Sequence, residues 1–271
     1  MDLNRRIVLL TGASRGIGVA IAKDLAAAGA HLVLTARDRA GLEAVAASLP
    51  AGTSTVVAAD IATSEGRAAI VAAVEAAGPL HAFVSNAGLE VPVAVADQTP
   101  EQIERQIAVN LTAPILLARA VLPGLIARGQ GAIVLVSSMS GKSPTPFNAI
   151  YAATKHGLNG FSSSLRIELH GTGVHAGVVC PSFVAEAGMW ASTGLRAPGM
   201  MREVPLAKVT AGVRAALAGQ GEVLVTPSPI RPLLAIAQLF PGLDGPVLRA
   251  LGVMDTLETR ARVTMAKGAQ E

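Results

Sequence analysis

Ile7-Val8-Leu9-Leu10-Thr11-Gly12-Ala13-Ser14-Arg15-Gly16-Ile17-Gly18 is the stretch on which the fold of this chain turns. Four consecutive apolar residues run into a glycine-studded turn, and an Ala-rich stretch follows. An unbroken Val/Ile/Leu run, in place of strict alternation, is what a parallel strand buried on both faces requires. Glycines let a turn tighten and let backbone N–H groups approach a pyrophosphate, and the helix N-terminus behind them attracts negative charge. Three glycines in a chain with 28 of them say little by themselves. Their place between a strand and a helix makes Gly12, Ser14, Arg15, Gly16, Ile17 and Gly18 a candidate dinucleotide-phosphate site.

The same rhythm continues outward. Short apolar runs predict strands over 6–11, 31–36, 54–59, 81–86, 131–137, 174–180 and 222–226. Ala-rich periodic segments predict helices over 16–29, 39–49, 64–77, 101–128, 150–170 and 205–219. Strands alternating with helices imply an α/β fold, a doubly wound parallel sheet of Rossmann-like type. Gly29, Gly78, Gly129 and Gly171 stand just past periodic stretches, where helices end. After Pro181 the chain becomes Pro-rich. The expected division is a catalytic domain over 1–229 and a helical extension over 230–271, built of two or three short helices. That extension reads equally as a lid over a pocket, an oligomer contact or a helix lying on a membrane surface.

With 51% hydrophobic and 15% charged residues, disorder is excluded. Only 3% are aromatic, so the core must be filled by small aliphatic side chains with helices lying close to the sheet. The single cysteine excludes an internal disulfide, and Cys180, closing an apolar run, reads as a buried small hydrophobe. The net charge of +3 arises after residue 190, with no Lys/Arg run or interleaved aromatics, so nucleic acid is not an expected partner. The five histidines lack metal-ligand spacing, and no metal is expected. No uninterrupted apolar stretch reaches the ~18 residues of a membrane span, and no secretory pattern opens the chain, so a soluble cytoplasmic protein is expected.

The chain has one tyrosine, in Tyr151-Ala152-Ala153-Thr154-Lys155. An i,i+4 spacing puts both side chains on one helix face. A nearby ammonium favours the phenolate, which predicts a lowered tyrosine pKa and makes Tyr151 a candidate acid/base for carbonyl–alcohol interconversion. Val136-Ser137-Ser138-Met139-Ser140 ends the fifth strand, at the carboxyl edge where α/β sites form. Asn110 lies inside the long predicted helix, where asparagine is a poor interior residue and asks for a reason.

Taken together, the Gly-x3-Gly-x-Gly turn, Asn86-Ala87-Gly88, Asn110, Ser138 and Tyr151-x3-Lys155 resemble the classical short-chain dehydrogenase/reductase family, over residues 5 to about 226. The resemblance implies a small-molecule carbonyl or alcohol substrate and a nicotinamide cofactor. It implies Ser138, thirteen residues before Tyr151, as the serine holding the substrate oxygen, and Lys155 as the group that bonds the nicotinamide ribose. Asn110 would hold a water in a proton relay. Asn86, Ala87 and Gly88 would support the cofactor from below, and Asp60-Ile61 would meet its adenine, with an N-cap or turn carboxylate as the alternative for Asp60. It also implies a homodimer or homotetramer.

The second strand ends in Thr35-Ala36-Arg37-Asp38. A carboxylate at this corner would repel a 2′-phosphate, whereas Arg37 and Arg15 converging there would clamp one. NADP(H) is therefore expected over NAD(H), with solvated loop arginines as the alternative and Asp38 as a counter-indication. Pro181-Ser182-Phe183-Val184-Ala185-Glu186 departs from the family pattern. Pro181 and Val184 match nicotinamide-side positions, but serine replaces the usual glycine and Glu186 replaces the usual threonine. Glu186 either accepts from the carboxamide or belongs to a shifted loop. Phe183, Met189, Trp190, Met200 and Met201 either line an apolar pocket or only pack the lid.

Overall fold

Seven parallel strands form one sheet in the order β3-β2-β1-β4-β5-β6-β7. They are β1 (Ile7–Thr11), β2 (His31–Ala36), β3 (Ser54–Ala58), β4 (Leu80–Ser85), β5 (Gly131–Val136), β6 (Val174–Pro181) and β7 (Glu222–Val225). Each lies within a residue of the run that predicts it. The structure is a computed structural model that describes residues 2–198, 202–228 and 230–268. Met200 and Met201, expected near the lid, lie outside the described residues.

Sheet-flanking helices are α1 (Ile17–Ala27), α2 (Arg39–Ala47), α3 (Ser64–Ala77), α4 (Pro100–Ile107), α5 (Ala113–Ala127), α6 (Ala149–Glu168) and α7 (Leu206–Leu217). Successive strand residues point to opposite faces, so each strand feeds two cores. Val8 and Leu10 join Ile21, Leu25, Leu42 and Val213 on the face of α1, α2 and α7. Leu9 joins Ile70, Leu117, Val121 and Leu158 on the face of α3, α5 and α6. Burying each such side chain is worth roughly 1.5–3 kcal/mol, which explains why the strands read as continuous apolar runs. The helix ends follow local chemistry. Thr63 accepts from Gly66 N–H at the start of α3, and Thr99 with Gln102 forms a reciprocal capping box on α4. Gly29, Gly78, Gly129 and Gly171 all take positive φ at the expected stops.

The segment from Pro100 to Ala127 is long and apolar enough to cross a membrane. Here it serves as a core helix, with Ala113, Leu117, Ala118, Val121 and Leu125 buried.

After β7 come α8 (Arg231–Leu239), α9 (Asp244–Ala250) and α10 (Val253–Gly268). They differ in kind. Neither α8 nor α9 buries a residue. By contrast α10 buries Val253, Leu257, Arg260 and Ala261, and Arg260 reaches the lid and the loop after β4. The extension is thus part lid and part exposed helix.

The strand order reverses between β1 and β4, where a crevice opens at the carboxyl ends of the strands. The glycine turn follows β1, Asn86 follows β4, and Ser138 follows β5. Connectivity alone therefore gathers three of the predicted segments at one edge.

Candidate active site

Gly12 and Gly16 adopt φ of +68° and +61°, so the turn takes the left-handed conformation that favours glycine. At Gly12 space is also limiting. A Cβ there would lie 2.7 Å from Ala87 Cα. Gly16 is the N-cap of α1, with no side chain capping the helix and no acidic residue in its first turn. The leading N–H groups of α1 are thus free of side-chain acceptors, as an anion site requires. Below the turn, Asn86 Nδ2 donates to the carbonyls of Thr11 (3.3 Å) and Gly12 (3.0 Å), while Thr11 Oγ1 accepts from the N–H groups of Asn86 and Ala87. Asn86 and Ala87 thus lock the phosphate turn of β1 to the neighbouring strand. These features fit a dinucleotide diphosphate.

At the end of β2, Asp38 is spent as the N-cap of α2, accepting from Gly41 N–H. One of its oxygens thus serves the helix. Arg15 and Arg37 are both exposed. Arg37 stands near Asp60, whereas Arg15 lines a cavity with Met189 and Arg260.

Asp60 behaves as a turn carboxylate, with one oxygen accepting from Ala62 N–H and the other from Arg105 at 2.5 Å. Burial pushes its pKa up, but these two partners outweigh that and hold it low. Ile61 is buried, and its carbonyl accepts from Arg67. An adenine contact at Asp60 would use the lone pairs that remain.

Asn110 explains its place in the long helix. Between α4 and α5 the backbone widens into a π-turn over Ala108–Thr112, a distortion that tends to mark functional sites. The fully buried amide accepts from Leu89 N–H at 2.8 Å and donates to Leu89 O at 2.6 Å and Thr154 Oγ1 at 3.3 Å. Both amide hydrogens are engaged. The side chain pins the loop after β4 to α6, and only an Oδ1 lone pair or the backbone carbonyl is left for a relay water.

Tyr151 and Lys155 share the buried face of α6. Lys155 Nζ donates to Val136 O at 3.0 Å and lies 5.4 Å from the Tyr151 ring centroid. Of the three neighbouring serines, Ser137 is used up, donating to Lys155 O. The Ser138 hydroxyl lies beside Tyr151 and accepts from Ser140 N–H. The electrostatics correct one expectation. Burial raises the Tyr151 pKa and Glu90 adds to this, while the Ser138 hydrogen bond and Arg260 work against it. Lys155 does not offset this, because burial makes it a weaker base and it is already neutral at the pH where the phenol ionises. Burial brings Lys155 down from 10.5 to about 8. Desolvation, which a linear sequence does not display, wins over the charge pairing that the spacing suggests.

On the far side of the crevice, Val184 bridges to Val204 through Phe183 O and Ala185 N–H. That pairing turns the N–H and C=O of Val184 the other way. Pro181 ends β6, and Ser182 continues its ladder by donating its N–H to Val225 O. Glu186 accepts from Leu206 N–H at 2.7 Å and so caps α7. One carboxylate oxygen is thus engaged at the start of a helix. Trp190 packs on Phe183 with centroids 4.3 Å apart and donates to Glu203. Its role is lid packing, while Met189 lines the cavity. Among the described residues no group of three metal-ligating side chains occurs.

The sequence reading missed Glu90, Arg260 and Asn148. Glu90 pairs with Arg260 in the cavity wall and accepts from Asn148 Nδ2 at 2.8 Å. A lone carboxylate two residues past Asn86-Ala87-Gly88, in an apolar loop, was the one available signal. Nothing local marked Arg260.

Comparison with known proteins agrees with this geometry. The sequence profile described as short chain dehydrogenase matches residues 6–196. A protein of Nostoc sp. named ketoacyl reductase HetN is 34% identical over 98% of this chain and 96% of its own length. The Bos taurus dehydrogenase/reductase SDR family member 7B is 32% identical over 66% of this chain and 58% of its own. A metagenomic short-chain oxidoreductase solved in complex with NADP superposes with a TM-score of 0.72 at 33% identity, covering 84% of this chain and 100% of the other.

Proposed function

Because the chain belongs to the short-chain dehydrogenase/reductase family, we propose that it interconverts a carbonyl and an alcohol with NADP(H), with Tyr151 as acid/base. One observation carries this reading. Tyr151, Ser138 and Lys155 meet on a buried wall at the strand ends, across from an uncapped glycine turn. A nicotinamide cofactor held at the glycine turn would supply the hydride for the carbonyl carbon. Ser138 donates a hydrogen bond to the carbonyl oxygen and orients it. Tyr151 donates its proton to that oxygen, and its burial keeps the phenol protonated, the form that reduction consumes. Lys155 would bond the nicotinamide ribose, and its depressed pKa suits proton exchange with Tyr151 through a water held beside Asn110. Alcohol oxidation runs through the same groups in reverse.

For the cofactor, Arg37, near the Asp60 corner, would meet a 2′-phosphate, and one oxygen of Asp38 is engaged as a helix cap. The NADP-bound neighbour supports this choice. For the substrate, the cavity sets Leu89, Pro92, Met189 and Val263 beside Arg15, Glu90, Arg260 and three hydroxyl side chains, a mixed lining that suits an acyl thioester, in line with the name of the Nostoc relative. The exposed Ile107, Leu116, Ile126 and Ile167 on α4, α5 and α6 are the surface through which copies would pair.

The test is loss of NADPH absorbance against a panel of ketones, aldehydes and 3-oxoacyl thioesters, with NADH in parallel and Tyr151→Phe as control. Turnover that prefers NADPH and falls roughly 10²–10⁴-fold in Tyr151→Phe supports the reading. Cofactor binding without turnover anywhere on the panel would overturn it.

A further inference from the structure

The mechanism above leaves one buried ion pair unused. Glu90, in the loop after β4, and Arg260, on α10, are each less than a tenth exposed at the side chain. They are 170 residues apart in sequence, and both oxygens of Glu90 accept from the guanidinium. Arg260 also donates to Met189 O at 3.3 Å and stacks 5.6 Å from the Trp190 ring, so it joins the lid as well. Glu90 in turn accepts from Asn148 Nδ2 at 2.8 Å. Asn148 is the N-cap residue of α6, three residues before Tyr151. Four separate segments therefore converge on this pair, and one of them carries the acid/base.

Two buried charges at this depth cost desolvation that a hydrophobic pair would avoid. Their position gives them another use. The groups facing Tyr151 are Lys155 from its own helix, Ser138 after β5, Cys180 on β6, Glu90 after β4 and Arg260 on α10. The Cys180 thiol is pushed up to about 11 by burial and is uncharged at neutral pH. Apart from Lys155, the charge near the phenol is therefore that of Glu90 and Arg260, which cancel only while α10 is docked.

We propose that Arg260 is a positioning residue for the reaction: reaching in from α10, it neutralises Glu90 and fixes the charge felt at the Tyr151 hydroxyl, so that docking of α10 is a condition for a competent acid/base. Glu90 without its partner would leave an anion beside a group that must become anionic, while Arg260 without Glu90 would leave a cation there. The catalytic meaning rests on the carbonyl–alcohol reading, but the charge balance itself can be measured without a substrate.

Tyr151 is the only tyrosine in the chain, so protein labelled at the tyrosine ζ carbon gives a single resonance whose alkaline titration belongs to this residue. The full chain is titrated as wild type, Glu90→Gln, Arg260→Met, the double variant and Arg260→Lys, with the Trp190 emission marking the point of alkaline unfolding. A unit charge about 6 Å away, at an effective dielectric near 20, shifts such a titration by roughly one to two pH units. The expected order of onset is Glu90→Gln earliest, then wild type, the double variant and Arg260→Lys together, and Arg260→Met last or not before unfolding. Two singles moving the same way, or a Glu90→Gln onset no earlier than wild type (including neither titrating before unfolding), would overturn the proposal. A structural clamp alone would weaken both singles without opposing shifts and without recovery in the double variant. If the panel yields a substrate, the alkaline limb of kcat must follow the same order. If it yields none, the titration still stands or falls by itself.

Discussion

Replacing Lys155 by methionine should abolish turnover and, at neutral pH, stabilise the protein. Lys155 is 2% exposed, among the most buried charged side chains described. Its pKa falls from 10.5 to about 8, a cost of about 3 kcal/mol at ~1.4 kcal/mol per tenfold change. Methionine removes that cost but also the hydrogen bond to Val136 O, worth about 1–2 kcal/mol. The net gain expected below pH 8 is about 1–2 kcal/mol. The sign of the pH dependence follows from linkage. Between 8 and 10.5 the unfolded chain holds a proton on Lys155 that the folded chain has released, so wild-type stability rises with pH across that window. The variant lacks the group and gains nothing there. Its advantage should therefore shrink from pH 8 upward and vanish or reverse by 10.5. Urea unfolding of both proteins across this range, followed by circular dichroism, measures the difference directly. A variant less stable than wild type at neutral pH, or a gap that stays constant with pH, would refute the claim that burial governs this lysine.

Other perturbations test the remaining parts of the site. Arg37→Ala should weaken NADPH binding about 10-fold or more while leaving NADH nearly unchanged, as kcat/KM for the two cofactors will show; Arg15→Ala should discriminate less, because Arg15 faces the cavity and not the Asp60 corner. Gly12→Ala drives a Cβ to 2.7 Å from Ala87 Cα at a φ of +68°, so calorimetry should find cofactor binding lost along with roughly 2 kcal/mol or more of stability. Glu186→Ala removes the carboxylate that accepts from Leu206 N–H, which should cost about 0.5–2 kcal/mol in thermal unfolding. The KM for cofactor should change little, because the carboxylate serves α7 and not the nicotinamide.

Much of this was legible in the chain, for a physical reason. Strands buried on both faces must be apolar throughout, so Ile7 to Leu10 and Ile133 to Val136 announced themselves, and the glycine stops showed where helices end. The segments of the site were legible because each follows a strand and connectivity brings strand ends together. What stayed hidden was the competition for each side chain. The use made of Asp38 and Glu186 depends on where a backbone N–H points: Asp38 caps α2, and Glu186 accepts from Leu206 N–H. The Tyr151–Lys155 spacing was read as charge pairing, but burial reversed the expected direction. The Glu90–Arg260 pair was out of reach, since no local pattern links residues that far apart.

The tie between Asn86 and the glycine turn also bears on how this chain is made. Thr11 and Gly12 receive their hydrogen bonds from residues about seventy-five positions later, and Lys155 reaches its carbonyl partner across nineteen more. A nascent chain that has just displayed its glycine turn therefore has no phosphate cradle, only a loose loop. The cradle closes when β4 slots in beside β1, and the catalytic wall follows once α6 lies down on β5. Parallel pairings of this span form slowly, because loop closure is costly before contacts repay it. Cofactor can then act only late during synthesis, as a latch on a sheet already assembled and not as a seed for it.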